Sequence, residues 1–404
     1  MTEPPGGPPD STPPHIVTVH PESGSVVPKL DDDAVLHFDE VIDEMSGKGG
    51  GTAKGVASSV ILSPVAGPVK VAWHRSSISV KPAEGWKKGR VYHLQLLPGL
   101  ADLRHNVMKQ GAMIVFSTGP AVPRASLSGT ALQWVDQRVL AQAAIRAALL
   151  PDTVAYVTLA DSAGAFTFSN IPRGRYRVYA IQDQNGDRRI DPREAFDSTV
   201  VTVDTTANLV LWAFQHDTTG PKLQAADPSD SITVRLTFSQ PLEPRRGLDT
   251  LAVRVVSLPD STPVRVRAVL TGALQDSILA RERAVADSLR RAKDTTRAQP
   301  SPARPSRQPT AAPSKRDTTV AHVDTARIRE LLRARPVPTD RWVLKTARPL
   351  KPGGKYLVRI RGALNLTGAS ANPQTVFVVP IPKPPPAAPA AKDTVHNKPA
   401  KPTR

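Results

Sequence analysis

No cysteine occurs anywhere in the 404 residues, which excludes disulfide staples, thiolate nucleophiles and cysteine-ligated zinc. The compartment stays open, because many bacterial exported proteins lack the residue too. Aromatic residues are scarce at 4%. Any core must therefore be built from Val, Leu and Ile, and these fall in short alternating runs of the kind that form half-buried strands. No apolar run approaches the ~20 residues that a membrane-spanning helix needs. The chain opens MTEPPGGPPDSTPP, with neither a basic end nor an apolar stretch, so no signal peptide is legible. Catalytic patterns are missing as well: there is no G-x-S-x-G, no H-E-x-x-H and no acid pair with a defensible partner. The sequence predicts a non-enzyme and an architecture rather than a reaction.

What the chain has in quantity is turn formers, with 41 prolines and 25 glycines. At roughly 100–200 residues per domain, this length and composition predict several small β domains. The net charge of +17 points to an acidic partner or surface, but its placement decides its meaning. Residues 274–340 carry 14 Lys/Arg against 8 Asp/Glu, and residues 381–404 carry 5 against 1. Most of the excess thus lies in Pro-, Ala- and Ser-rich sequence that cannot bury enough surface to fold. Apart from the short strand Arg175-Tyr-Arg-Val-Tyr179, basic residues are not interleaved with aromatics, so no specific nucleic-acid binding is expected.

From residue 14 onward, strands are predicted at Val60–Ser63, Val69–Trp73, Ser77–Pro82, Val91–Leu97 and Met113–Ser117, divided by turn signals at sandwich-like intervals. A later region repeats this one. Leu36-His-Phe38-Asp matches Leu236-Thr-Phe238-Ser, and Gly89-Arg-Val-Tyr92 matches Gly353-Gly-Lys-Tyr356, with Trp73 and Trp342 upstream. The offset grows by about 64 residues between these landmarks, so the second copy contains an insertion, placed at 274–340. Within it, Gln275–Lys293 and Thr325–Arg335 have helical spacing, but a mobile loop with nascent helicity is the preferred reading, since isolated short helices are marginal. His15, His20, His37, His74, His93 and His105 show no metal-binding spacing and read as surface residues. Ser46–Gly55, SGKGGGTAKG, lacks the Lys-Ser/Thr order of a phosphate loop and reads as a flexible connection.

The most informative stretch lies between the two copies. Phe166 and Phe168 alternate with small polar residues, Ile171-Pro172-Arg173-Gly174 interrupts, and Tyr176, Val178 and Ala180 resume the alternation, which predicts a hairpin. An acidic loop follows, with Asp183, Asn185, Asp187, Asp191 and Glu194 at relative positions 1, 3, 5, 9 and 12. This spacing resembles an EF-hand-type calcium loop, in which the carbonyl of Arg189 would complete the oxygen set around Ca²⁺. Arg188 stands at the sixth position, where such loops have Gly, and a strand rather than a helix precedes it. A surface turn whose Asp and Asn side chains bond their own backbone is the alternative.

Two family resemblances add to these readings. Gly89, Tyr92, Leu94, Leu96, Gly99, Leu100, Asp102, Asn106 and Phe116-Ser-Thr-Gly119 resemble the bacterial Ig-like domain first described in S-layer proteins, the SbsA type. The second copy departs from it, with Asn365 in the Asp position and no Phe-Ser-Thr-Gly after Phe377. Leu127-Ser-Gly129, Gly164-x-Phe-x-Phe168 and the Pro-x-Gly-x-Tyr176 turn are similar to the prealbumin-like or carboxypeptidase regulatory-like β-sandwich. The resemblances imply an all-β chain: a disordered tether over 1–13, an Ig-like domain over 14–120, a prealbumin-like sandwich over 121–217, a second Ig-like domain over 218–380, and a disordered basic tail over 381–404. They imply a monomeric cell-envelope module, periplasmic or an outer-membrane lipoprotein, with a structural or interaction role toward an envelope protein or anionic surface polymer. The Pro-rich start resembles the spacer behind a lipidated Cys, so either a lipid anchor is expected upstream of Met1 or the protein stays inside the cell. The alternatives are a polyanion-binding protein working through its basic segments, and an accessory module of an envelope enzyme.

Overall fold

The computed structural model describes residues 11–47, 55–295 and 325–381. The tether through residue 10, the Gly-rich stretch 48–54, the low-complexity part of the insertion and the tail from 382 lie outside them. The architecture is all-β, with three separate apolar cores.

In the first sandwich, β1 (Ile16–His20), β2 (Ala34–Phe38), β3 (Val60–Ser63), β4 (Val69–Trp73), β5 (Ser77–Pro82), β6 (Val91–Leu96) and β7 (Ala112–Ser117) make two sheets, β1-β2-β5-β4 and β3-β6-β7. Period-2 patterning orients them: Leu36 and Phe38 enter the core while His37 between them is exposed.

The middle domain comprises β8 (Ala125–Gln133), β9 (Arg138–Val139), β10 (Ala144–Leu149), β11 (Ala155–Leu159), β12 (Ala165–Ile171), β13 (Gly174–Ile181), β14 (Ala195–Val203) and β15 (Thr206–Gln215). Their order is β11-β10-β13-β14-β15-β8-β12, with β9 beside β8. β14 and β15 pair only at Ala195–Gln215 and Phe196–Phe214. β15 first runs parallel to β8 from Thr206 to Ala213 and meets β14 only at its end, which folds the sheet over its own core. The expected hairpin of β12 and β13 does not form. β12 pairs with β8, whereas β13 pairs with β10 and β14. Phe166 and Phe168 therefore meet Tyr176 and Val178 in one core from separate strand systems, and Ile171–Gly174 is a crossing between them. The Tyr176 hydroxyl braces that crossing by donating to the Pro172 carbonyl at 2.7 Å.

The third sandwich contains β16 (Leu223–Pro228), β17 (Thr233–Leu242), β18 (Val253–Leu258), β19 (Thr262–Val264) and β20 (Val266–Thr271), then α1 (Gly272–Thr295) and α2 (Thr325–Ala334). β21 (Thr339–Thr346), β22 (Lys355–Ile360), β23 (Ala363–Leu364), β24 (Ser370–Ala371) and β25 (Gln374–Val378) complete it. Its main sheets are β16-β17-β21-β20 and β19-β18-β22-β25. Both helical segments of the insertion are formed helices rather than a loop with nascent helicity. α1 extends directly from β20, and α2 gains an apolar surface to pack on, described below.

Several details recur between the first and third sandwiches. Phe38 pairs with Ile16, and Phe238 with Leu223, each beside a bulge that shifts the register. The Tyr92 and Tyr356 hydroxyls accept the amides of Lys87 and Lys351, both at 2.8 Å. Each ring stacks on a last-strand phenylalanine, Phe116 at 5.7 Å and Phe377 at 5.6 Å. Gly89 and Gly353 have φ of 74° and 73°, a left-handed turn conformation that glycine adopts without a Cβ penalty. Asp102 Oδ1 accepts the amides of Arg104 and Asn106, and Asn365 Oδ1 accepts those of Thr367 and Ala369. Asn365 thus supplies the same kind of turn acceptor as Asp102. The tryptophans are not equivalent: Trp342 faces Leu236, the place that Ile78 holds opposite Leu36, while Trp73 ends the neighbouring strand.

Candidate functional site

The acidic loop closes the β13–β14 connection, where the Gln182 amide donates to the Ala195 carbonyl at 2.8 Å. All six residues of the expected ligand set lie on this one excursion. Asp183 organises it: Oδ1 accepts the Gly186 amide at 2.7 Å and Oδ2 the Arg188 amide at 3.0 Å. Asn185 Oδ1 accepts the Asp187 amide, Asp187 Oδ1 the Arg189 amide and Asp191 Oδ1 the Arg193 amide, each at 2.7–2.8 Å. Glu194 returns to the start of the loop, where its Oε1 accepts the Gln184 amide at 2.8 Å. These are the Asx turns of the surface-turn reading. Among the described residues no three His, Asp or Glu side chains are drawn together into a ready-made metal cage.

The sixth position keeps the backbone of a glycine without being one. Arg188 has φ 56°, a left-handed conformation costing an ordinary side chain roughly 1–2 kcal/mol. Its guanidinium turns away from the loop and donates to the Ser58 carbonyl of the first sandwich at 2.9 Å. Arg146 in turn donates to the Arg188 carbonyl at 2.8 Å. Burial lowers the pKa of both guanidiniums, opposed at Arg188 by the nearby Asp183 carboxylate.

That contact belongs to a junction between the first and middle domains. Edge strand β11 lies against β3 and β6: the Tyr156 hydroxyl donates to the Val91 carbonyl at 3.2 Å, the Val157 amide to Ser63 Oγ at 3.0 Å, and the Thr158 hydroxyl to Gln95 Oε1 at 3.1 Å. His93 is buried here, its ring 4.8 Å from that of Tyr156 and its Nε2 3.4 Å from the Asn170 carbonyl. The expectation of a surface histidine fails at this position because the middle domain covers the outer face of β6. His15, His20, His37, His74 and His105 are exposed as expected.

The insertion of the third domain reaches back to the middle one. α2 presents Ile328 and Leu331 to a groove lined by Gly129, Phe166 and Asn208. Just past its end, the Arg335 guanidinium sits 3.5 Å over the Trp134 ring, and the Trp134 indole donates to the Pro336 carbonyl at 3.0 Å. At the covalent link, Asn365 donates to the carbonyls of Asp217 and Thr219. Replacing Arg335 by Ala removes the cation–π contact, worth about 1–2 kcal/mol when partly desolvated. The expected result is roughly tenfold faster amide exchange in α2, with β17 and β21 unchanged.

Residues 10–118 match the family model described as a bacterial Ig-like domain. No curated protein matches the chain. Among solved structures, it is similar to the major pilin subunit of Bacillus cereus, at 10% identity over 50% of this chain and 71% of that one, with a TM-score of 0.18. An L,D-transpeptidase from Mycobacterium smegmatis is 14% identical over 50% and 77%, with a TM-score of 0.19. The Bacillus anthracis TIE protein is 12% identical over 62% and 47%, with a TM-score of 0.17. With TM-scores this low, none of these similarities bears on function. The chain thus opens with a segment matching the bacterial Ig-like domain, and further β-sandwich units follow.

Proposed function

We propose that this is a non-enzymatic, multi-domain β-sandwich protein of the bacterial cell envelope, with a structural or interaction role. The observation that carries the reading is the recurrence of the Ig-like geometry. In this reading the third sandwich is a second copy of the S-layer-type domain, split by an insertion; the Tyr–amide bond, the Tyr–Phe stack, the bulged Phe pair and the Asp/Asn turn, which recur at corresponding places, support it. A repeated Ig-like unit flanking a prealbumin-like sandwich supports a display or spacer role, and the packed junctions favour one braced body over loosely strung domains. The basic segments, carrying net charges of +6 over 274–340 and +4 over 381–404, would meet an anionic surface polymer or an acidic envelope protein. No helix among the described residues is long and apolar enough to cross a membrane.

Fractionation of the native bacterium with an antibody against the chain is the direct test. Recovery with the envelope is the expected outcome, and recovery in the soluble cytosolic fraction would overturn the reading. Removing 274–340 and 381–404 should abolish retention on a polyanionic resin at low salt. Retention unchanged by that deletion would place the anion-binding surface on the sandwiches instead.

A further inference from the structure

One atom of the acidic loop is left without a hydrogen-bond partner by the rest of the fold. Glu194 is only 5% exposed, and while its Oε1 accepts the Gln184 amide, its buried Oε2 has no hydrogen-bond partner. A carboxylate oxygen taken out of water without a donor or counter-charge is costly, so such an atom calls for a ligand. The half-buried guanidiniums of Arg188 and Arg146 donate elsewhere, to the Ser58 carbonyl and the Arg188 carbonyl. The side chains that share the loop with Glu194 at alternate positions, Asp183, Asn185, Asp187 and Asp191, bring further oxygens. An all-oxygen donor set on the same loop as a buried carboxylate suits a hard cation.

We propose that the loop from Asp183 to Glu194 binds one Ca²⁺, with Glu194 as the buried anchor. The side chains of Asp183, Asn185 and Asp187, the Arg189 carbonyl, and Asp191 directly or through a water complete the shell. The Asx turns do not compete with the ion: a carboxylate or amide oxygen that accepts one N–H keeps a second lone pair. The left-handed Arg188 gives the chain the sharp bend such a loop needs while directing its charge to the neighbouring domain. Because the carboxylates are not already gathered, the exposed Asp187 and half-buried Asp191 must swing inward on binding. This reorganisation sets a modest affinity, with Kd on the order of 10⁻⁴–10⁻³ M, as in extracellular modules. Mg²⁺, which demands a tight octahedron, fits such a loop poorly.

Calorimetric titration of the EDTA-stripped full chain with CaCl₂ should give a single site in that range, and MgCl₂ at the same concentrations should bind at least tenfold more weakly. Glu194→Gln keeps the Oε1 acceptor and the side-chain shape but removes the charge, and should raise the Kd at least tenfold. Asp187→Asn changes only an exposed side chain and should also weaken binding, so the test survives if the Glu194 variant fails to fold. As a local readout, tryptic cleavage after Arg189 and Arg193 should slow in Ca²⁺ and not in Mg²⁺. Absence of heat up to about 10 mM CaCl₂, with cleavage unaffected by Ca²⁺, would overturn the proposal and leave Glu194 as a strained turn residue. Binding of undiminished affinity in both variants would equally overturn it, because the ion would then sit elsewhere.

Discussion

Replacing Phe238 by alanine is expected to destabilise the third sandwich by about 3–5 kcal/mol, against the roughly 5–15 kcal/mol that holds a typical domain together. The ring is 1% exposed and packs in a core whose only other aromatic side chains are Trp342, Tyr356 and Phe377. Aliphatic neighbours anchored on β17 and β22 cannot collapse far into the space it leaves, so transfer and cavity terms add. Because the three cores are separate clusters, the loss should stay local. Hydrogen exchange resolved by peptide should show β17 and β21 losing protection while β2 and β5 keep theirs, and Phe38→Ala should give the reverse. A cost below about 1 kcal/mol, or protection lost equally in both sandwiches, would contradict separate cores.

Much of this architecture is legible in the residues because strand patterning is local. β3, β4 and β5 have their expected bounds, and β6 and β7 differ by one residue. β25 forms without a Phe-Ser-Thr-Gly motif because its pairing depends on the Tyr356–Phe377 contact and the β22 ladder, not on the residues beyond it. Strand partnership was harder to read. The alternation in β12 and β13 says that Phe166, Phe168, Tyr176 and Val178 face a core, but a tight connection between two such strands serves a hairpin and a crossing equally well. Only the long pairings of β8 with β12 and β15 decide it. Similarly, Trp73 and Trp342 share a residue type and a place ahead of the Tyr strand, yet register assigns them to different strands.

The acidic loop was legible for the same reason, being a contiguous run whose side chains bond backbone within five residues, apart from Glu194 closing its base. What lay beyond sequence was everything set by a neighbour. The direction of Arg188, the burial of His93 and the surface that receives α2 all depend on another domain. The helical spacing of Ile328, Leu331 and Arg335 identifies an apolar stripe but cannot name Trp134 as the ring beneath Arg335. α2 is therefore held by the middle domain, whereas the comparable stripe on α1, with Val285 and Leu289 more than half exposed, lies uncovered among the described residues.

The junction that hides His93 should make the protein sensitive to mild acid. Burial pushes the imidazole pKa down from 6.5 to about 4, opposed in part by the Asn170 carbonyl. An unfolded chain takes up this proton near pH 6.5, but the folded chain only near pH 4. Between those values the unfolded state binds more protons, so stability rises with pH through the window and is lost as pH falls from 6.5 toward 4. The difference corresponds to about 3 kcal/mol. The imidazolium would have to form 4.8 Å from the Tyr156 ring, with the Asn170 carbonyl beside its Nε2 and with the junction's Asp152 carboxylate already engaged by Arg90 at 3.5 Å. Burial also raises the Tyr156 phenol, so that group stays a neutral donor to the Val91 carbonyl throughout. His93→Gln retains an N–H donor for the Asn170 carbonyl and does not titrate. Denaturant melts of the two proteins at about pH 7 and pH 4 should therefore differ in slope. Wild type should lose about 3 kcal/mol more than the variant, with carboxylate titrations common to both cancelling in the difference. Exchange protection in β6 and β11 should fall first, ahead of β17 and β21. Parallel stability curves for wild type and His93→Gln would show that the imidazole finds a counter-charge or water on protonation, and that acid acts on the protein elsewhere.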